Sequence, residues 1–243
     1  MSSLKGQQVV VTGGGTGIGL GIAEAFCKAG ATVCISGRRA DVLEKARATL
    51  KDCGDATYAV LDVADRAATE RFFREREAAG PVEILVMCAG VNIKKRSMTE
   101  MDPAEWDRVM AINATGPYNC LHAVLPPMLE RKRGLIVNVS SIAGKRALEL
   151  GGIAYCASKF AATALGTSVG NELAPRGIRI TNVYPGEVDT PLLEHRPTPV
   201  SEERRAAMLL PSDVADMVVA IASLPARAHV PEIIVKPLVQ HFV

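Results

Sequence analysis

Seven short runs rich in β-branched residues alternate with longer helix-compatible stretches, and this alternation limits the 243-residue chain to very few architectures. The strand-like runs fall at 8–12, 32–36, 57–61, 84–88, 135–140, 179–184 and 232–236, and the helical stretches at 17–29, 40–53, 66–79, 103–131, 153–173 and 211–223. Strand, helix, strand in regular succession means right-handed crossovers and a parallel sheet covered on both faces. Runs such as VVV at 9–11 and LIVNV at 135–139 are apolar on both sides, as strands sandwiched between two helical layers must be. The expected fold is therefore an α/β, doubly wound parallel sheet of about seven strands flanked by helices, built by residues 1–243 as one domain. A proline-punctuated stretch at 187–210, with Pro191, Pro197 and Pro199, reads as a substrate loop and not a linker. Only about 33 residues follow it, too few for an independent core.

Charge and cysteine content exclude several function classes. The formal net charge is +2 and the basic residues are scattered, so there is little electrostatic footprint for nucleic acid or membrane, and a small molecule is the expected partner. The six cysteines form no C-x-x-C pair and have no nearby histidine, which argues for buried reduced thiols over a metal site or a disulfide framework. The first eight residues are polar and no apolar run reaches the ~18 residues of a membrane span, so a cytoplasmic location is expected.

The first strand runs straight into Thr12-Gly13-Gly14-Gly15-Thr16-Gly17-Ile18-Gly19 and then into a helical stretch. Glycines there permit a tight turn and let backbone N–H groups and the helix N-terminus approach a pyrophosphate. A glycine cluster alone is weak evidence; its place between an opening strand and a helix is what points to a nucleotide. At the end of the second strand, where an NAD site ordinarily carries an acidic residue for the ribose 2′-hydroxyl, stand Ser36-Gly37-Arg38-Arg39. Arg38 can fork onto a 2′-phosphate, which favours NADP over NAD, although two solvated arginines opening a helix would look the same. Asp62 ends the third strand and is placed either to reach the adenine amine or to cap the next helix.

Two further segments carry chemistry: Ser140-Ser141 at the end of a strand, and Tyr155-Cys156-Ala157-Ser158-Lys159 opening a helix. Tyrosine and lysine at i and i+4 share a helix face, and a nearby ammonium favours phenolate, bringing the phenol toward proton exchange at neutral pH. That spacing occurs by chance in many helices. The serine lies 14 residues before the tyrosine, and this order, behind a glycine turn, carries the reading.

With these motifs the chain resembles the short-chain dehydrogenase/reductase family over nearly all its length, which implies a Rossmann fold. The family's glycine turn matches Gly13, Gly17 and Gly19, with Gly15, Thr16 and Ile18 between them. Its active-site serine matches Ser141, with Ser140 as the nearby alternative, and its Y-x-x-x-K pair matches Tyr155 and Lys159. The resemblance implies that Ser141 orients the substrate carbonyl, Tyr155 transfers the proton, and Lys159 activates the tyrosine and holds the nicotinamide ribose. It further implies that Asn113 sits in a locally opened helix whose backbone holds a water. Asp62 and Val63, Ala89 and Gly90, and Pro185, Gly186, Val188 and Thr190 would line the cofactor, the last group at the nicotinamide carboxamide. The family's N-N-A-G reads Met87-Cys88-Ala89-Gly90 here, so altered bracing of the sheet is expected, with Cys88 as an apolar filler.

The implied activity is NAD(P)-dependent hydride transfer to or from a small carbonyl or hydroxyl compound: a ketone, an aldehyde, or a 3-oxo or 3-hydroxy acid. The segment 224–240 lacks the glycine-rich ending usual in 3-oxoacyl-carrier-protein reductases, the alternative substrate reading, and looks more like the branch acting on 3-hydroxy acids. A nucleotide-sensing regulator without turnover is the alternative of a different class; the intact Ser141, Tyr155 and Lys159 argue against it. Lys94, Lys95, Arg96, Lys145 and Arg146 are either substrate contacts or solvated loop charges, and the second reading is the simpler. The family also implies a homotetramer or homodimer. Ala161, Ala162, Ala164, Gly166 and Gly170 on the helix after Tyr155 suit close packing, either between subunits or within the chain.

Overall fold

The computed structural model describes residues 3–241. Seven strands, β1 (Gln8–Thr12), β2 (Thr32–Gly37), β3 (Ala56–Val60), β4 (Val82–Met87), β5 (Gly134–Val139), β6 (Ile178–Pro185) and β7 (Glu232–Val235), form one sheet in the order β3-β2-β1-β4-β5-β6-β7. Every neighbouring pair is parallel. The connecting helices are α1 (Gly17–Lys28), α2 (Ala40–Leu50), α3 (Arg66–Ala79), α4 (Pro103–Met110), α5 (Gly116–Glu130), α6 (Ile153–Leu173), α7 (Glu202–Ala206) and α8 (Pro211–Ala222). This is a Rossmann fold.

Strand alternation divides the interior into two cores. Val9, Val11, Val33, Ile35, Val86 and Val137 point to one face, where Ile22 and Phe26 of α1, Leu43 of α2 and Val214 and Val218 of α8 cover them. Val10, Leu85, Met87, Ile136 and Ile180 point to the other, against Phe72 and Phe73 of α3 and Leu121, Val124 and Met128 of α5. Each such side chain contributes roughly 1.5–3 kcal/mol on burial, so both faces must be covered for the sheet to stand. The chain winds outward through β1, β2 and β3 and then returns to lay β4 beside β1. At that reversal the connections diverge and leave a crevice at the carboxyl ends of the strands, where the ligand of such a sheet sits.

The helix expected at 103–131 opens locally at Asn113, as the resemblance implied, in a π-helical turn, Ala111–Thr115, that joins α4 and α5. One expectation is corrected. The segment 187–210 carries structure of its own, a 3₁₀ turn at Pro191–His195 and the short α7, and pairs with itself through a Val188–Leu209 bridge. Of the small residues on α6, Ala162, Gly166 and Gly170 are buried within the chain; a side chain at 166 would run into Asn182 and one at 170 would touch Ile180. No helix among the described residues is long and apolar enough to cross a membrane.

Candidate active site

The glycine turn works by leaving out side chains. Gly13 has φ +68°, and a Cβ there would lie 2.7 Å from the Cα and N of Ala89 on the loop after β4. Only glycine lets these two strand ends meet. Gly13, Gly15, Thr16, Gly17, Ile18 and Gly19 border a cleft of about 700 Å³, and Arg38, Asp62, Val63, Ala89 and Gly90 border the same space. Arg38 is exposed at its edge, and Ser36 adds a buried hydroxyl with no hydrogen-bond partner among the described residues. Asp62 accepts from the Ala64 N–H at 3.0 Å, whereas α3 is capped by Asp65, whose carboxylate accepts from Ala68 N at 2.9 Å. Asp62 is thus left on the cleft wall and does not cap the helix.

Those features fit a dinucleotide: a backbone cradle, a cation at the outer edge and an orphaned buried hydroxyl between them.

Beside the cleft lies a smaller cavity of about 150 Å³, and Ser141 and Tyr155 both line it, with Pro185, Gly186, Val188 and Thr190 across from them. Ile18, Asn92, Thr190 and Leu192 border both spaces, so the two are adjacent. Ser141 ends β5 in extended geometry and accepts from Ala143 N at 3.1 Å, which leaves its O–H to donate. Ser140 is turned under α6, its hydroxyl on Lys159 O and Thr163 Oγ1 at 3.2 and 3.0 Å. That separates the two serines: Ser140 braces, Ser141 faces the larger part of the cavity with Tyr155.

Lys159 is 6% exposed and donates from Nζ to Val139 O at 2.9 Å, with Nζ 5.7 Å from the centroid of the Tyr155 ring. Burial pulls its ammonium down to about 8, with Cys88 working the other way. Burial likewise pushes the Tyr155 phenol up to about 12; the hydrogen bond with Ser141 and the positive charge of Arg96 work against that rise. The simple expectation that the lysine lowers the tyrosine is therefore incomplete, because desolvation outweighs it and the opposing effects come from Ser141 and Arg96. Asn113 lies in the π turn. Its Oδ1 accepts from Val91 N and its Nδ2 donates to Val91 O, both at 2.9 Å, with a third bond to Ser158 Oγ at 3.1 Å. It clamps the loop after β4 to the first turn of α6.

A family model described as short chain dehydrogenase matches residues 7–200. The chain belongs to the short-chain dehydrogenase family. Among solved relatives it is similar to an alcohol dehydrogenase from the archaeon Thermococcus sibiricus complexed with 5-hydroxy-NADP, at 27% identity and TM-score 0.86, covering 98% of this chain and 99% of that one. It is also similar to the closed form of a serine dehydrogenase complexed with NADP+, at 28% identity and TM-score 0.87, covering 97% and 96%. A glycine betaine reductase of Emericella nidulans is 36% identical over 242 residues; this chain spans only 19% of that protein's length.

As a short-chain dehydrogenase the chain shows how it manages without the asparagine pair. Thr12 Oγ1 donates to Val86 O at 3.4 Å and accepts from Cys88 N and Ala89 N at 3.2 and 3.4 Å, bracing the loop after β4 from the neighbouring strand. Met87 fills the core instead, and burial pushes the half-buried Cys88 thiol up to about 11. Cys27, Cys34, Cys120 and Cys156 are buried, Cys53 half-buried. Lys94 and Lys95 are exposed, Lys145 pairs with Glu232 at 2.5 Å, and Arg146 donates to Lys145 O at 3.0 Å.

Three groups escaped sequence reasoning. Asn138 donates to Ala162 O at 2.9 Å and to Asn182 Oδ1 at 2.8 Å, a buried amide pair that fixes α6 to β5 and β6. An amide inside LIVNV was the available signal. Glu187 and Arg196, both mostly buried, pair at 2.8 Å on the cavity wall, and Arg204 joins the same Oε1 at 2.8 Å. Arg96, read as solvated, is 9% exposed and lines the cavity.

Proposed function

We propose that this short-chain dehydrogenase transfers a hydride between NADP and a small carbonyl or alcohol substrate seated in the 150 Å³ cavity, with Ser141, Tyr155, Lys159 and Asn113 as the working set. The supporting observation is the adjacency of spaces: Ser141 and Tyr155 border a substrate-sized cavity that shares Ile18, Asn92, Thr190 and Leu192 with a dinucleotide-sized cleft. A bound nicotinamide dinucleotide supplies the hydride or accepts it. Ser141 turns its O–H from Tyr155 to the substrate oxygen as negative charge develops there. Tyr155, kept protonated by burial, passes its phenolic proton to that oxygen in reduction and takes it back in oxidation. Lys159 presents an amine next to the phenol and the cleft, and Asn113 holds the loop carrying Ala89 and Gly90 at the distance the cofactor needs.

NADP is preferred in this reading because Arg38 stands where a carboxylate would repel a 2′-phosphate, and because the archaeal and serine dehydrogenase relatives were solved with NADP-type ligands. The chain functions as one domain, 1–243, with 187–210 as its substrate loop, acts in the cytoplasm, and assembles as a homotetramer or homodimer. NADPH is mixed with a panel of small ketones, aldehydes and 3-oxo acids, and its oxidation compared with that by Tyr155→Phe. The expected result is Tyr155-dependent oxidation on at least one compound. Cofactor binding without any Tyr155-dependent turnover would instead return the reading to a nucleotide sensor.

A further inference from the structure

The buried Arg96 is held by neutral partners alone. Its Nε donates to Ile93 O at 2.6 Å, Nη1 to Leu150 O, and Nη2 to His195 O at 2.8 Å. Those three carbonyls belong to three separate segments: the loop after β4, the loop between Ser141 and α6, and the substrate loop, the farthest 99 residues from Arg96 in sequence. Its stem packs where Gly152, at φ +78°, carries no side chain; a Cβ there would come within 2.5 Å of Arg96 Cβ. No carboxylate pairs with it among the described residues. The nearest formal charges it feels are Arg196, which repels it, and the phenol of Tyr155 when ionised, which attracts it. A guanidinium buried this way is expensive to keep unless its charge or its fork is used.

We infer that Arg96 is a positioning residue for the reaction, tying the three loops that wall the substrate cavity and keeping a positive charge on the same cavity wall that Tyr155 borders. The inference rests on Tyr155 being the proton carrier proposed above. The groups facing the phenol are Ser141, Lys159, Arg96, Cys88 and Cys156. The serine donates a hydrogen bond, both thiols disfavour phenolate, and Lys159 has its own acceptor in Val139 O. Arg96 is the cation that remains ionised throughout the working pH range, since guanidinium does not release its proton there. Phenolate forming in the oxidation direction is therefore met by a charge already in place, with no side-chain movement needed.

Two substitutions separate the fork from the charge. Arg96→Lys keeps a cation but reaches fewer of the three carbonyls; Arg96→Gln keeps a donor and loses the charge. In the oxidation direction, where activity rises as Tyr155 ionises, Arg96→Gln is expected to move the rising limb of kcat/KM upward by a few tenths of a pH unit, Arg96 being the weakest of the influences on the phenol. Arg96→Lys is expected to leave that limb in place while raising substrate KM several-fold. An ultraviolet titration of the phenolate, taken as the difference between each protein and its Tyr155→Phe counterpart, needs no substrate and should show the same upward shift in Arg96→Gln. An unmoved limb and an unmoved titration in Arg96→Gln overturn the electrostatic half, and an unchanged KM in Arg96→Lys overturns the tie. If Arg96→Gln does not fold, Arg96→Lys decides alone: limb in place with raised KM upholds the inference, and any other result overturns it. Absence of turnover in the wild type would sink the functional reading, while the spectroscopic titration would still report on Arg96 and Tyr155.

Discussion

The cleft and the cavity meet at Ile18 and Thr190 but are made of different material. The cleft is a backbone construction: its shape follows from the reversal between β1 and β4 and from glycines that let strand ends approach. The cavity is a side-chain construction, walled by loops that Arg96 and Asn92 hold together over long sequence separations and that Glu187 clamps internally through Arg196. A region defined by strand order tolerates exchange of its side chains, as Met87-Cys88 shows. A region defined by a few polar clamps changes shape when any one of them is altered, which is why substrate choice is proposed to reside there.

The sharpest way to break this contrast is at Tyr155, the proposed proton carrier, which borders the cavity. Tyr155→Phe is expected to lower kcat by about 10²–10⁴-fold with cofactor affinity retained, as read by steady-state kinetics beside NADPH fluorescence titration. Next comes the cleft's backbone. Gly13→Ala forces a methyl against Ala89 at a positive φ, a strain on the order of 1–3 kcal/mol, and should raise the NADPH dissociation constant about tenfold with little change in substrate KM. If substrate KM moves as far as cofactor binding, the two regions are not separate. Arg38→Ala should lower the NADPH-over-NADH preference in kcat/KM by about tenfold, since one charge-assisted contact to a phosphate contributes roughly 1.5 kcal/mol; an unchanged ratio would sink the account of Arg38. The smallest effect is expected at the cavity's clamp. Burial works to raise the Glu187 carboxyl, but the hydrogen bonds and charges of Arg204 and Arg196 outweigh it, and the pKa lies below the ordinary value of 4.5. A depressed carboxylate stabilises the fold above its unfolded pKa and loses that contribution as pH falls through the folded value. Stability attributable to Glu187 is thus fully present at neutral pH and fades below about pH 4. Glu187→Gln should flatten that acid limb in urea melts, cost on the order of 3 kcal/mol at pH 7 because it leaves the mostly buried Arg196 without its counter-charge, and in activity do no more than raise substrate KM, without touching cofactor binding.

The same division explains what the sequence disclosed. Strand positions and the doubly wound class were legible because burial on both faces leaves a plain apolar record, as in VVV and LIVNV. The cleft residues were legible because glycines at fixed offsets encode backbone shape locally. Tyr155, Lys159 and Ser141 were legible as an ordered set. The roles of Arg96 and Asn138 were not, since nothing near Arg96 in sequence announces carbonyls 54 and 99 residues away, and Asn138 meets its amide partner 44 residues on. Charge in a loop reads as solvation until the loops that bury it are in place. The same holds for Asp62, whose neighbour Asp65 turned out to be the cap.

The π turn at Ala111–Thr115 carries one more consequence. An added residue in one turn advances the angular phase of everything beyond it by about 100°. Val109 of α4, buried with Ile93 and Ala154, and Leu121, Val124 and Met128 of α5, buried against the sheet, are therefore two hydrophobic stripes written out of step with each other. Deleting a single residue between 111 and 115 would restore an unbroken ladder of backbone bonds and still be ruinous, because one of the two stripes would then be rotated toward water. The irregular turn is the phase correction that lets one segment serve the neighbourhood of Asn113 at one end and the sheet at the other.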